Sequence, residues 1–232
     1  MVEIKGFMKT SMLDYPGKLS ACIFLSRCNF HCPYCHNVEL VMDDPRLTPF
    51  ENEKVFGYLQ NKKDWIDGVV ISGGEPTLHK DLPILCKELK DMGFSVKLDT
   101  NGTNPEMLKE LIEKKLVDYV AIDIKSCKDK YEKATSVNAD VTAVGKSIKI
   151  LIKSTVDYEF RTTVLPGIVE IEDMEKIGEW INGAKKYYIQ QFVPIKTLNA
   201  SFMDKQPYTH DILHKMKDTV SKYVEVCEIR GT

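Results

Sequence analysis

Three cysteines stand within eight residues: Arg27-Cys28-Asn29-Phe30-His31-Cys32-Pro33-Tyr34-Cys35-His36-Asn37, a C-x3-C-x2-C spacing. Three thiolates on one short loop can grip a metal ion or cluster from one side. A structural zinc site takes four protein ligands, and iron–sulfur clusters usually take four cysteines. The fourth local candidate is His31 or His36, which would make a zinc knuckle of three cysteines and one histidine. If neither histidine binds, one metal position stays open, and an open position is what a substrate-binding metal centre needs. The other four cysteines, Cys22, Cys86, Cys127 and Cys227, are scattered. They read as small buried apolar residues.

The elements that must carry this loop alternate strand and helix. Ser20 to Ser26 reads as a buried strand with the cysteines at its C-terminal end. Further apolar strand runs are expected at 68–72, 94–99, 119–124, 158–165 and 188–193, with a tail strand at 224–229. Between them the 3–4 spacing of apolar residues predicts helices at 51–61, at 82–92 behind an Asp81 cap, after Asn104-Pro105-Glu106, at 141–152, from Met174 to Ala184 and at 210–223. Six strand-plus-helix units with almost continuously apolar strands imply α/β architecture, a parallel sheet with helices outside. A partial (β/α)6 TIM-like barrel is the expected fold, with an open doubly wound sheet as the alternative. No linker or repeat divides the chain, so residues 1–232 are expected to form one domain.

In either arrangement, ligands bind at the C-terminal ends of the strands. Polar residues gather there. Gly73-Gly74-Glu75 follows the second strand, Asp99-Thr100-Asn101-Gly102 the third and Asp123-Ile124-Lys125 the fourth. Arg161 lies on the fifth, and Gln190-Gln191 on the sixth. Glycines let backbone approach a ligand closely, and Glu75 can accept from an ammonium group. Each motif also has a plainer reading: Gly-Gly and Asn-Gly as turns, Asp99 or Asn101 as helix caps, Asp123 and Lys125 as a salt bridge.

Composition excludes other classes. The 232 residues carry 32 Lys+Arg against 34 Asp+Glu, a net charge of −2, which gives no electrostatic footprint for nucleic acid. No apolar run approaches the roughly 20 residues that span a bilayer, and the start lacks a signal-peptide layout. A cytoplasmic protein with no nucleic-acid or membrane partner is expected.

The cysteine spacing at the end of the first strand of a βα array resembles the radical S-adenosylmethionine (SAM) superfamily, over essentially the whole chain. The resemblance implies that Cys28, Cys32 and Cys35 hold a 4Fe-4S cluster whose open iron binds SAM. Tyr34 fits the aromatic position whose neighbourhood contacts adenine. Ser72-Gly73-Gly74-Glu75-Pro76 is similar to the superfamily's G-G-E-P segment, which meets the methionine amino group. Asp99 and Asn101 fall in a segment that approaches the SAM ribose in related activating enzymes. Asp123 and Lys125 resemble their D-x-K pair. Arg161 could meet the SAM carboxylate or pair with a local carboxylate, since burying it unpaired would be expensive.

The flanks resemble the glycyl radical enzyme activating branch. Asp14-Tyr15-Pro16-Gly17 matches its D-x-P-G opening, and Tyr34-Cys35-His36-Asn37 the Y-C-H-N ending found in activating proteins of anaerobic ribonucleotide reductase. The implied partners are a glycyl radical enzyme as protein substrate and flavodoxin or ferredoxin as electron donor. Two alternatives stay open: a radical SAM enzyme acting on a small molecule, similar to 7-carboxy-7-deazaguanine synthases, and a non-catalytic metal-binding module. One departure stands out, because the family usually carries glycine before the first cysteine and this chain has Arg27.

Overall fold

The computed structural model describes residues 2–231. Eight strands follow one another along the sheet in chain order, β1 to β8. β1 (Gly6–Ser11) is antiparallel to β2 (Ser20–Leu25). β2, β3 (Gly68–Gly73) and β4 (Ser95–Thr100) are parallel. β6 (Asp157–Val164), β7 (Ala184–Gln191) and β8 (Val224–Arg230) are parallel too. β5 (Tyr119–Asp123) stands between the two sets. A doubly wound sheet reverses direction at a switch point. Here each crossover steps to the next strand in the same sense, so that alternative falls and the (β/α)6 order stands. The crossover helices are α1 (Val38–Val41) with α2 (Asn52–Asn61), α3 (Leu82–Asp91), α4 (Pro105–Glu113), α5 (Tyr131–Thr135) with α6 (Val141–Lys153), α7 (Asp173–Trp180) and α8 (His210–Val220).

The chain clusters into two compact units. The first runs from the N-terminal residues to Asn29 and includes Glu39–Thr100 and Glu106–Val120; the second is Phe30–Val38, Asn101–Pro105 and the chain from Ala121 onward. In the first, β2 and β3 are buried along nearly their whole length, and helix α3 lays Leu82, Leu85, Cys86 and Leu89 inward. Tyr15, Cys22, Val70 and Tyr119 form a buried cluster. In the second, α6 buries Val144, Ser147, Ile148 and Leu151, and β6 and β7 bury Tyr158, Phe160 and Tyr187. All four scattered cysteines are buried. Burial and the neighbouring Asp14 push the Cys22 thiol up, so it stays protonated and inert.

Several boundaries differ from expectation. β1 went unread because its residues are mostly half-exposed or exposed, without the apolar run of a central strand. Helix α7 ends at Trp180 rather than Ala184; the turn passes through Gly183 at φ +84 and Ala184 opens β7. Lys185 and Lys186 therefore lie on a strand, not at a helix end. Asp81 occupies the N-cap of α3 but its side chain makes no capping bond; Pro at the first turn does that work by having no N–H to satisfy. At α6 the cap is real: the Asp140 carboxylate accepts from the backbone N–H groups of Thr142 (2.9 Å) and Ala143 (3.0 Å). Replacing Asp140→Ala is expected to cost about 1 kcal/mol. Equilibrium urea denaturation of the two proteins side by side would read it, and coincident curves would contradict it.

Candidate functional site

In the first unit, the end of β2 and the turn after β3 are fastened backbone to backbone. Leu25 pairs in register with Gly73. The Gly74 N–H donates to the Leu25 carbonyl (2.8 Å) and the Glu75 N–H to the Arg27 carbonyl (2.7 Å). The approach is so close that only glycine fits. A Cβ on Gly73 would lie 2.3 Å from the Leu25 carbonyl oxygen, and one on Gly74 1.9 Å from that of Arg27. Two more contacts hold the same stretch. The His79 ring Nε2 hydrogen-bonds the Ser26 carbonyl (2.8 Å), and the Arg27 N–H donates to the Leu40 carbonyl (2.7 Å). Cys28 thus leaves from a backbone clamped on several sides.

Arg27 itself sits at φ +66, the left-handed region. Glycine enters that region freely, whereas an L side chain costs roughly 1–2 kcal/mol. This is the position where the resembled family carries glycine, and the backbone shape explains why. Arg27 is held there by the backbone bonds above and by its Nε, which donates to Asp43 (3.0 Å). The pair is exposed and adds little.

Glu75 is buried. Its Oε1 accepts from the Thr77 N–H (3.0 Å), from the Thr77 hydroxyl and from the Thr100 hydroxyl (2.6 Å). The carboxylate therefore braces its own turn and ties it to the end of β4. Asp99 lies 3.1 Å from Lys97 Nζ. The Lys97 side chain is almost wholly buried, donates to the Asp14 carbonyl and lies over the Tyr119 ring. Strand alternation puts Lys97 and Asp99 on one face of β4.

The second unit holds the rest. Cys32 is buried and Cys35 half-buried, and neither is in a disulfide. Their loop is pinned through its backbone: His31 N–H to Thr135 carbonyl (2.9 Å), Leu198 N–H to Cys35 carbonyl (3.0 Å), Asn199 N–H to Pro33 carbonyl (2.9 Å). His31 is exposed, and His36 stacks on Phe192 with its Nε2 2.9 Å from the Val193 carbonyl. Burial pushes the Cys32 thiol up to about 11, with Lys125 pulling the other way, and raises the Cys35 thiol as well. Such thiols ligate only when a cationic centre displaces their protons.

Beside them lies a charged row. Asp123 accepts from Arg161 Nε (2.8 Å) and Lys125 Nζ (3.0 Å). Burial alone would raise the Asp123 carboxyl; Arg161 and Lys125 hold it well below the usual range. Burial opposes the Lys125 charge, but Asp123 and the neighbouring Cys32 and Tyr34 raise it. Tyr34 is buried, and its hydroxyl has no hydrogen-bond partner among the described residues. The salt-bridge reading of Asp123 and Lys125 and the local-carboxylate reading of Arg161 are thus both realised. Asn101 makes a turn: its Oδ1 accepts from the Thr103 N–H (3.0 Å) and hydroxyl (2.7 Å), and Gly102 follows at φ +77. Sequence reasoning missed Glu159 and Arg230, which stand behind Arg161. The one local signal was another charged residue, Glu159, two positions before Arg161 on the same strand.

The donor set fits a polynuclear iron–sulfur cluster. Three thiols lie close in sequence with lysine charge beside two of them. Among the described residues, no three His, Cys, Asp or Glu side chains gather around a single ion.

The radical SAM superfamily model matches residues 22–181, and the chain belongs to that superfamily. It is accordingly an enzyme whose cofactors are a 4Fe-4S cluster and SAM. It is similar to a candidate glycyl-radical enzyme activating enzyme of Methanocaldococcus jannaschii, at 38% identity over 98% of this chain and 95% of the relative. A second such protein from the same organism is 32% identical over 85% of this chain and 75% of its own length. Among solved structures, a domain of pyruvate-formate lyase-activating enzyme from Bacteroides vulgatus covers 71% of this chain and 99% of that domain, with a TM-score of 0.57 and 17% identity. That last likeness is one of fold.

Gly74→Ala is expected to cost on the order of 3 kcal/mol, because a methyl group has no room against the Arg27 backbone. It should also lower the iron and sulfide retained after anaerobic reconstitution. Arg27→Gly removes the left-handed strain and should retain full cluster content with a denaturation midpoint at or above wild type. The opposite ranking of the two variants would contradict the clamp.

Proposed function

We propose that this chain is a glycyl radical enzyme activase, working as one catalytic core along residues 1–232. The observation that carries the reading is the near full-length likeness to a candidate activase, at 38% identity. The Asp14-Tyr15-Pro16-Gly17 and Tyr34-Cys35-His36-Asn37 segments point the same way. When bound, the reduced cluster supplies one electron for cleavage of SAM, giving methionine and a 5′-deoxyadenosyl radical able to take a hydrogen atom from a glycine Cα.

The residues divide the work. Cys28, Cys32 and Cys35 hold the cluster. The Gly73-Gly74-Glu75 turn presents backbone to the methionine amino group, with Glu75 fixing the turn. Tyr34 would line the adenine side. Lys125 and Arg161 offer positive charge to the methionine carboxylate, while Asp123 keeps both in place. Asp99 and Asn101 shape the ribose side, Asp99 held by Lys97. The glycine to be oxidised belongs to a partner protein, for which anaerobic ribonucleotide reductase is the choice that the Tyr34-Cys35-His36-Asn37 segment supports. Flavodoxin or ferredoxin would deliver the electron. Among the described residues no helix is long and apolar enough to cross a membrane. A cytoplasmic location is part of the proposal, because an exposed iron–sulfur site and its electron donor belong in a reducing compartment.

Reconstituted protein, dithionite, SAM and a purified anaerobic ribonucleotide reductase, mixed without oxygen, should develop the electron paramagnetic resonance doublet of a glycyl radical. Changing Cys32→Ala should remove it. Turnover of SAM with no protein radical on any glycyl radical enzyme offered would overturn the activase reading in favour of a small-molecule substrate.

A further inference from the structure

Behind Arg161 the charged row continues. Arg161 Nη1 lies 3.9 Å from Glu159 Oε1, two residues earlier on β6. Glu159 is fully buried. It is met from the other side by Arg230 on β8, whose two terminal nitrogens donate to its two carboxylate oxygens at 2.8 and 2.9 Å. The Arg230 guanidinium carbon also lies over the Tyr188 ring, 3.2 Å from its centre, a second contact that holds the side chain. Register places Arg230 beside Gln190. Five side chains therefore alternate in sign: Lys125, Asp123, Arg161, Glu159, Arg230.

Arg161 sits between two carboxylates, 2.8 Å from one and 3.9 Å from the other. A buried carboxylate that loses a cation becomes strongly attracting for the next one. The bidentate grip of Arg230 satisfies Glu159 on both oxygens and leaves Arg161 nearer Asp123. We propose that Arg230 is a positioning residue for SAM binding: by neutralising Glu159 it keeps Arg161 on Asp123, and so sets the Asp123–Lys125–Arg161 arrangement. This rests on the reading above that these three residues face SAM. Without Arg230, Glu159 would draw Arg161 off Asp123 and change the charge presented to the methionine carboxylate.

The distinctive consequence is a rescue. If Glu159 is the competitor, neutralising it should repair the loss of Arg230. SAM binding is measured by anaerobic equilibrium dialysis on cluster-loaded protein without reductant, so that nothing turns over. Iron content and thermal midpoint are recorded for each variant. Arg230→Met should weaken SAM binding about tenfold at unchanged iron content. Arg230→Lys should bind nearly as wild type, and Glu159→Gln combined with Arg230→Met should recover most of the loss. Arg230→Met binding like wild type, or the double variant binding as weakly as Arg230→Met, would overturn the proposal. If Arg230→Met does not fold, the double variant decides: near-wild-type binding supports the competition, and lost binding overturns it. Asp123→Asn separates the two levels. Weakened binding there with an unaffected Arg230→Met rejects only the positioning role; unaffected binding in Asp123→Asn rejects the underlying site.

Discussion

Two backbone hydrogen bonds, Gly74 to Leu25 and Glu75 to Arg27, fix where the cysteine segment begins. They exist because two successive residues of the β3 turn have no side chain. The residue before Cys28 takes a left-handed conformation between these bonds, and the turn that braces it is itself held by the buried Glu75 carboxylate and its threonine donors. A cysteine on a loop would otherwise be free to wander, since loops are the mobile part of a fold. Here Cys28 follows three residues after a strand end, and Cys32 and Cys35 lie in a segment whose carbonyls and amides are tied at Thr135, Leu198 and Asn199. The precision is a property of backbone spacing more than of the cysteines themselves.

One constraint governs charge in both units. Isolated buried charges are too costly to keep, so each is paired. Lys97 meets Asp99 and the Asp14 carbonyl; Asp123 meets Lys125 and Arg161; Glu159 meets Arg230. Pairing that is needed simply to bury the groups also orients them. Lys125 and Arg161 are thus already held by one carboxylate, so little ordering of these two cations remains to be done.

Much of this could be read in the sequence. The parallel strands announce themselves because they are buried on both faces and so are continuously apolar; β2, Ser20–Leu25, is the clearest case. The cysteine spacing and Gly73-Gly74 are local, and local constraints leave local marks. β1 was invisible because an exposed antiparallel edge needs no apolar run. Ala184 extends the helical spacing as a strong helix former, yet the chain turns at Gly183 and Ala184 opens β7. Arg27 looked like a departure in chemistry, whereas its backbone angle makes it a departure in conformation. Glu159 and Arg230 are 71 residues apart and meet only through the β6–β7–β8 register, which no short-range pattern encodes.

The central chemistry requires that Cys28, Cys32 and Cys35 hold a cluster that cleaves SAM. Anaerobic reconstitution with iron and sulfide, reduction by dithionite and chromatographic assay of 5′-deoxyadenosine measures that directly. Formation of 5′-deoxyadenosine that depends on SAM and reductant, and that vanishes when any one of the three cysteines is changed to alanine, is the predicted result. No 5′-deoxyadenosine, with one tightly held zinc ion per chain and no cluster formed, would contradict it.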